Sequence, residues 1–229
     1  MRERQVLVAT AAFGDDLPAP TVAGAIGRGL ERAGLMPPDL CPLTAGGPGT
    51  RAVLLPRLGG EIAGEVALLE DGALALVEDP ALLPTGAPLT VVAAGPAGPP
   101  AAALDGHVVV LCDRDTPREA WAAAGATLEP GLPWLLDALD FDMRMRAARA
   151  VITGEARLDE ATLAGGVTGE IGTRARQAGV PLHAFVREDA LDGFGKRIID
   201  LQVVREASTI AELEAAAEEL GAALATGAA

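Results

Sequence analysis

The stretch Ala150–Gly166, AVITGEARLDEATLAGG, carries the strongest fold signal in the chain. Its first three residues are apolar and polar residues follow at once, which is typical of a buried parallel strand that ends in polar side chains. Ligands of open α/β sheets bind outside the carboxyl ends of the strands. We therefore expect Glu155, Arg157 and Asp159 to lie in one short loop at such an end. A salt-bridged loop without a binding role explains the same three residues equally well.

Short apolar runs alternate with helix-like patterns along much of the chain. Besides the strand that begins at residue 150, strands are predicted at residues 6–9, 89–92, 107–112, 182–186 and 198–204. Helices are predicted at residues 22–33 after an N-cap at Thr21, and at 135–148, 169–177 and 209–224. Because strands that alternate with helices form parallel sheets, we expect an α/β fold with a doubly wound, Rossmann-like, mostly parallel sheet.

Residues 59–105 differ in character from the segments on both sides. Two apolar segments, 61–69 and 73–77, flank Asp71-Gly72, a dipeptide typical of a hairpin turn. The remainder is rich in Pro, Gly and Ala around a single apolar run. We therefore expect residues 1–58 and 106–229 to form the main α/β domain, with residues 59–105 as a reduced, inserted second lobe or linker.

The composition limits the classes of partner. The 229 residues include 18 Lys and Arg against 32 Asp and Glu, a formal net charge of −14. Because phosphate backbones and anionic membranes attract cationic surfaces, this charge argues against nucleic acid and membrane as partners, although a local site can still bind a small anion. The N-terminus lacks the apolar segment of a signal peptide, and no apolar run is long enough to span a membrane. We expect a cytoplasmic protein.

The cysteines and histidines do not form a recognisable site. Cys41 and Cys112 fit neither a disulfide framework nor a zinc pattern and are expected to be small buried hydrophobic residues. His107 and His183 have no nucleophile pattern nearby. We expect both histidines to be structural or exposed rather than catalytic.

A glycine-rich loop, Ala45–Thr50, follows the apolar segment that ends near Leu43. Loops of this kind let backbone N–H groups approach a phosphate, so Gly46, Gly47, Gly49 and Thr50 are candidate nucleotide- or substrate-binding residues. A plain tight turn remains the alternative, because a glycine-rich turn is by itself a weak motif.

These motifs resemble those of the glycerate kinases that phosphorylate glycerate at the 2-position. The family's signature is T-G-E-G-R-L-D-x-Q-T-L-x-G-K where this chain has Thr153–Gly166, and its D-G-G-E-G-T corresponds to the glycine-rich loop. The family's C-D-V-x-T-P resembles the segment 112–117, and its A-P-D-S-F-K-G-S corresponds to residues 9–16. The resemblance covers roughly residues 5–80 and 107–222, and it identifies residues 1–58 and 106–229 as a Rossmann-like domain of glycerate kinase type.

The resemblance implies an activity, cofactors and a set of site residues. The implied activity is ATP- and Mg²⁺-dependent phosphoryl transfer to D-glycerate, a small organic acid. Implied catalytic residues are Glu155, Arg157, Asp159 and Thr162. Implied binding residues are Gly46, Gly47, Gly49, Thr50, Thr153 and Gly154. Asp113 would be a metal-binding carboxylate at the end of a neighbouring strand. A homodimer is left open.

Several family residues that handle charge are replaced in this chain. Gly14 and Gly166 stand where the family has lysines, and Ala11, Ala45 and Pro48 stand where it has acidic residues. Two further glycine-rich loops of the family are missing, and Lys196 is the only lysine in the chain. We therefore expect impaired or lost catalysis. An active kinase and a non-catalytic paralogue that binds a small anion or a partner protein are the competing hypotheses.

Overall fold

The structure, a computed structural model, describes residues 4–84 and 86–227. Its strands are β1 (Val6–Thr10), β2 (Asp39–Leu40), β3 (Glu61–Ala63), β4 (Val66–Leu69), β5 (Leu74–Val77), β6 (Leu89–Val92), β7 (His107–Cys112), β8 (Thr127–Pro130), β9 (Ala150–Leu158), β10 (Leu182–Asp189) and β11 (Leu201–Glu206). Its helices are α1 (Ala19–Arg32), α2 (Thr50–Leu58), α3 (Arg118–Ala123), α4 (Gly131–Ala138), α5 (Phe141–Ala147), α6 (Glu160–Leu163), α7 (Val167–Ala178), α8 (Gly193–Ile198) and α9 (Ile210–Thr226).

The chain forms two compact units. The first unit contains Met1–Leu43 and Asp140–Ala229, and the second unit contains Thr44–Leu139. These bounds differ from the domain bounds proposed from the sequence at residues 58 and 106. The reason is that β7 pairs with β6 and β8 in the second unit, whereas the sequence analysis placed it in the main domain.

The first unit is built on a parallel sheet. Its five strands lie in the order β11-β10-β9-β1-β2, and every neighbouring pair is parallel. Helices α1 and α9 contribute Ile26, Leu30, Leu213 and Leu220 to a core over β1, β9 and β10. The expected doubly wound, mostly parallel α/β fold is therefore confirmed.

The second unit has a mixed sheet of its own. Its six strands lie in the order β3-β4-β5-β6-β7-β8, with two antiparallel pairs at the β3 end and parallel pairs from β5 to β8. The hairpin expected at Asp71-Gly72 is present, since β4 and β5 are antiparallel and both turn residues have positive φ. Residues 59–105 thus supply four strands, more than a linker would.

Three predicted element bounds are wrong for local reasons. Helix α1 begins at Ala19 after Pro18, so Thr21 lies inside the helix and is not its N-cap. The helix expected at residues 135–148 is two helices, α4 and α5, because Asp140 between them has a φ of 52°. The strand expected at residues 198–204 begins only at Leu201, because the preceding residues form α8.

The expectation that both cysteines are buried is confirmed. Both Cys41 and Cys112 are buried, as expected of small hydrophobic residues.

In the described ranges no helix is both long enough and apolar enough to cross a membrane.

Candidate functional site

Strand β9 is longer than the sequence pattern indicated, and this changes the geometry of the signature residues. The strand continues through Glu155 and Arg157 to Leu158, because β10 pairs with it along its whole length. The two residues therefore lie on a strand rather than in a loop, and only Asp159 follows the strand end. The prediction of one short loop is wrong on this point.

Glu155 is the most buried charged residue of the signature. The hydroxyl of Thr162 donates a hydrogen bond to its Oε1 at 2.9 Å. Burial raises the pKa of the Glu155 carboxyl, and the polar contacts with Thr162 and Thr168 partly oppose this rise. A carboxyl group with a raised pKa can exchange a proton nearer to neutral pH than an exposed one.

Thr162 joins Glu155 to Asp159. Its Oγ1 accepts a hydrogen bond from the backbone N–H of Asp159 at 3.3 Å, and Oδ1 of Asp159 accepts one from the backbone N–H of Ala161 at 2.9 Å. The bond from the N–H of Asp159 to Thr162, together with one from the backbone N–H of Thr162 to the Asp159 side chain, forms a capping box at the start of α6. The capping box holds the hydroxyl of Thr162 in place to donate to Glu155.

Arg157 is paired with two carboxylates. Its Nε lies 3.0 Å from Oδ2 of Asp159, and its Nη1 contacts Oε2 of Glu188. About half of the Arg157 side chain is exposed, 51%. The ion pairs expected of a salt-bridged segment without a binding role are thus present. They occupy the guanidinium on two sides.

The structure packs tightly around Gly166, the position where the glycerate kinase signature has a lysine. A Cβ atom on Gly166 would lie 2.8 Å from Cα of Thr162 and 3.2 Å from Oε2 of Glu155. Gly166 is the N-cap residue of α7. A larger side chain here therefore requires a shift of the α6–α7 connection.

Thr153 and Gly154 lie inside the sheet. Both are buried, and a Cβ on Gly154 would lie 2.6 Å from the carbonyl oxygen of Phe185 on β10. Within residues 4–84 and 86–227, the hydroxyl of Thr153 has no hydrogen-bond partner. The close approach of β10 accounts for the glycine without a ligand, and the proposed binding role of the two residues stays a prediction.

The glycine-rich loop belongs to the second unit, where it packs tightly. Gly46 has a φ of 102°, and a Cβ on it would lie 2.5 Å from Cα of Gly131. Gly49, with a φ of 93°, is the N-cap residue of α2. The hydroxyl of Thr50 lies 2.7 Å from that of Thr44 and donates to the carbonyl of Gly47 at 2.6 Å. These bonds define a tight turn.

Asp113 also belongs to the second unit, at the end of β7. The position implied by the resemblance, at the end of a strand next to β9, is wrong, because the neighbours of β9 are β1 and β10. Oδ1 of Asp113 accepts hydrogen bonds from the Thr116 hydroxyl at 2.7 Å and the Asp115 N–H at 2.9 Å. Oδ2 faces the glycine-rich loop, 2.7 Å from where a Cβ on Gly47 would lie.

The residues fit Mg²⁺ and ATP only in part. In the described part of the chain, no group of three or more His, Cys, Asp or Glu side chains could hold a metal ion. Mg²⁺ bound with nucleotides is commonly held by one or two carboxylates together with phosphates and waters. Oδ2 of Asp113 could be one such ligand.

The cationic side chains near the ends of β9 and β10 form ion pairs with carboxylates. At the ends of β9 and β10, Arg187 lies 2.6 Å from Asp16 and Lys196 lies 2.5 Å from Asp189, while Arg157 has the two partners described above. Glu188, which pairs with Arg157, was not among the residues predicted from the sequence. The only signal for it is the alternation Arg187-Glu188-Asp189 after an apolar strand.

We expect Thr162→Val to destabilise the first unit. The change removes the hydroxyl bonds to Glu155 and to the N–H of Asp159 at nearly constant volume, a loss of about 1–2 kcal/mol and roughly 2–8 °C in Tm for a chain of this size. Thr162→Ser keeps the hydroxyl and should lose much less. Thermal denaturation of both variants measures this, and an equal loss in both would contradict the role of the hydroxyl.

Comparisons with known proteins agree with the signature. Residues 119–226, just under half of the chain, match the model of the glycerate kinase family. The match includes the signature stretch and does not extend to residues 5–80. No curated protein matches the chain.

A solved structure shares the fold. The crystal structure of "putative glycerate kinase 2" from Salmonella typhimurium LT2 has a TM-score of 0.70 with this chain at 17% sequence identity, and the match covers 99% of each chain. At this identity the likeness supports the fold alone. The family match is limited to residues 119–226, and this segment, which contains Glu155, Arg157, Asp159 and Thr162, is similar to the glycerate kinase family.

Proposed function

We propose that this protein is a member of the glycerate kinase family in which ATP-dependent phosphoryl transfer to D-glycerate is strongly impaired or lost. The observation that carries the proposal is the surroundings of Gly166. This glycine replaces the signature lysine of the family, and Thr162 and Glu155 pack so closely against it that a side chain no longer fits without a shift.

The other family lysine position gives independent support. Gly14 has a φ of 80°, a backbone conformation that residues with a Cβ rarely adopt. A Cβ there would also lie 3.3 Å from Nη1 of Arg187. Because the backbone has adapted to glycine at both positions, a single substitution back to lysine is not expected to restore a kinase site.

The pairing of the charged side chains at the ends of β9 and β10 also supports impaired or lost catalysis. Phosphoryl transfer requires cations that neutralise charge as it develops on the transferred group. Removing one such electrostatic group commonly lowers a rate about 10²-fold or more. Here Arg157, Arg187 and Lys196 are paired with carboxylates, and two lysines of the family are absent.

If ATP and Mg²⁺ bind, the second unit contains residues suited to them. Oδ2 of Asp113 would hold the metal, and the turn formed by Gly46, Gly47 and Gly49 would contact phosphate through backbone N–H groups. The bound nucleotide would supply the phosphoryl group. Considered by itself, the first unit contains Glu155, whose carboxyl accepts a hydrogen bond from the hydroxyl of Thr162.

A non-catalytic role as a binding protein is the second candidate. It is favoured by the exposure of Arg157, whose planar guanidinium can bind a carboxylate or phosphate through two N–H groups. In the part of the chain that the structure describes, Nη2 of this side chain has no hydrogen-bond partner. A small organic acid such as D-glycerate is the ligand that this candidate implies.

Calorimetric titration of the protein with D-glycerate tests the binding. We expect Arg157→Ala to abolish the binding heat, because the substitution removes the anion-binding group. Arg197→Ala is a matched control, since Arg197 is an exposed arginine of the same unit. Binding that is unchanged in Arg157→Ala, or lost equally in both variants, would contradict the role of Arg157.

A further inference from the structure

Two strands continue beyond the rest of the sheet in the first unit. Strand β1 ends opposite Gly154 and β11 ends opposite Val186, whereas β9 and β10 continue as a pair to Leu158 and Asp189. We call the segments 155–158 and 186–189 the β9–β10 extension. In its register, Arg157 lies directly opposite Glu188.

Two carboxylates, those of Asp159 and Glu188, bind the guanidinium of Arg157. Nε of Arg157 is bonded to Asp159 and Nη1 to Glu188. An oxyanion that approaches Arg157 therefore meets two negative charges that already use its N–H groups. The side chain of Glu188 is 57% exposed, so solvent reaches this contact freely.

The two carboxylates are held with different firmness. Asp159 also caps α6 through Oδ1 and is enclosed by the capping box with Thr162. Glu188 has no ion pair other than the one with Arg157 within the described ranges. Because exposed ion pairs are weak and screened by salt, Glu188 is the partner that a ligand can displace.

We infer that Glu188 is an internal competitor for the anion-binding guanidinium of Arg157, and that it sets how tightly the chain binds small oxyanions. A ligand carboxylate or phosphate would replace the Glu188 carboxylate on Nη1 and use the free Nη2 as its second donor, which gives the two-point contact that arginine forms with oxyanions. Glu188 weakens this binding because it occupies one donor and repels the incoming charge. The inference rests on the proposed role of Arg157 as the anion-binding residue.

The test is a calorimetric titration at low ionic strength with two probes, inorganic phosphate and D-glycerate. The variants are Glu188→Gln, which removes the charge while keeping the size, and Glu188→Gln combined with Arg157→Ala. Glu160→Gln is the matched control, because Glu160 is an exposed glutamate next to Asp159. Melting temperatures confirm that each variant is folded.

We expect Glu188→Gln to bind phosphate about fivefold more tightly than the wild type, as expected for loss of an exposed ion pair. The double variant should lose this gain, and Glu160→Gln should behave like the wild type. An unchanged Kd in Glu188→Gln, a gain that persists without Arg157, or no phosphate binding in any variant would overturn the inference. Tighter phosphate binding in Glu188→Gln without D-glycerate binding in any protein would support the inference and contradict D-glycerate as the ligand.

Discussion

Gly29→Ala is expected to lower the free energy of unfolding by about 2–3 kcal/mol, as overpacking of a tight contact does. Helices α1 and α9 cross at this glycine. A Cβ on Gly29 would lie 2.3 Å from the carbonyl oxygen of Glu214 and 2.6 Å from Cβ of Ala217. Both neighbours belong to the body of α9, so relief requires a shift of the whole helix. For a chain of this size the Tm should fall by roughly 4–12 °C.

The same substitution five residues earlier provides the control. Gly24 lies in α1 as well, but a Cβ there would meet only the end of the Arg28 side chain, at 3.4 Å. Because alanine favours a helix over glycine, Gly24→Ala should raise the stability by about 0.5–1 kcal/mol. Thermal and urea denaturation of the two variants measure the difference. Equal effects at both positions would show that the crossing of α1 and α9 is not as close as described.

The second large expected effect is a loss of folding stability at low pH that is caused by His183. The side chain of His183 is fully buried in β10, and neither ring nitrogen has a hydrogen-bond partner among residues 4–84 and 86–227. Burial, helped by the charge of Arg205, lowers its pKa from 6.5 to about 4. The folded protein therefore binds this proton more weakly than the unfolded chain. Folding is accordingly destabilised as the pH falls from about 6.5 to about 4, by about 3 kcal/mol in total.

His183→Leu should remove this part of the pH dependence. Leucine fills a similar volume and leaves no unpaired nitrogen, so the variant should lose about 3 kcal/mol less than the wild type between pH 7 and pH 4. His107→Leu is the control, because His107 is exposed at the start of β7. Urea denaturation at several pH values measures both variants. If the wild type and His183→Leu had parallel pH profiles, His183 would not be the group that titrates.

The sequence predicted the type of most strands and helices, and its errors came from long-range contacts. The strand at residue 150 was expected to stop where the polar residues begin. It continues because β10 pairs with it and places Glu188 opposite Arg157, and opposite charges across neighbouring strands stabilise such a pair. A pairing partner 31 positions away cannot be inferred from the local pattern of polar and apolar residues.

The sequence named candidate site residues but not their arrangement, and the functional roles of these residues stay predictions. The resemblance identified Glu155, Arg157, Asp159 and Thr162, and all four lie together around the end of β9. Asp113 was assigned to the wrong sheet, because an apolar strand followed by an aspartate shows that a strand ends there but not which strands lie beside it. The replaced lysines were visible in the sequence. The closure of the backbone around Gly166 could only be seen in three dimensions.

A coupled ADP-release assay with D-glycerate, ATP and Mg²⁺ measures whether phosphoryl transfer to D-glycerate is strongly impaired or lost, as proposed. The wild type is compared with an Arg157→Ala/Asp159→Ala variant, and a glycerate kinase with an intact lysine signature shows that the assay works. We predict that the wild type releases no more ADP than the double variant. Glycerate-dependent release by the wild type at a rate near that of the intact enzyme, abolished in the double variant, would show that the protein is an active kinase.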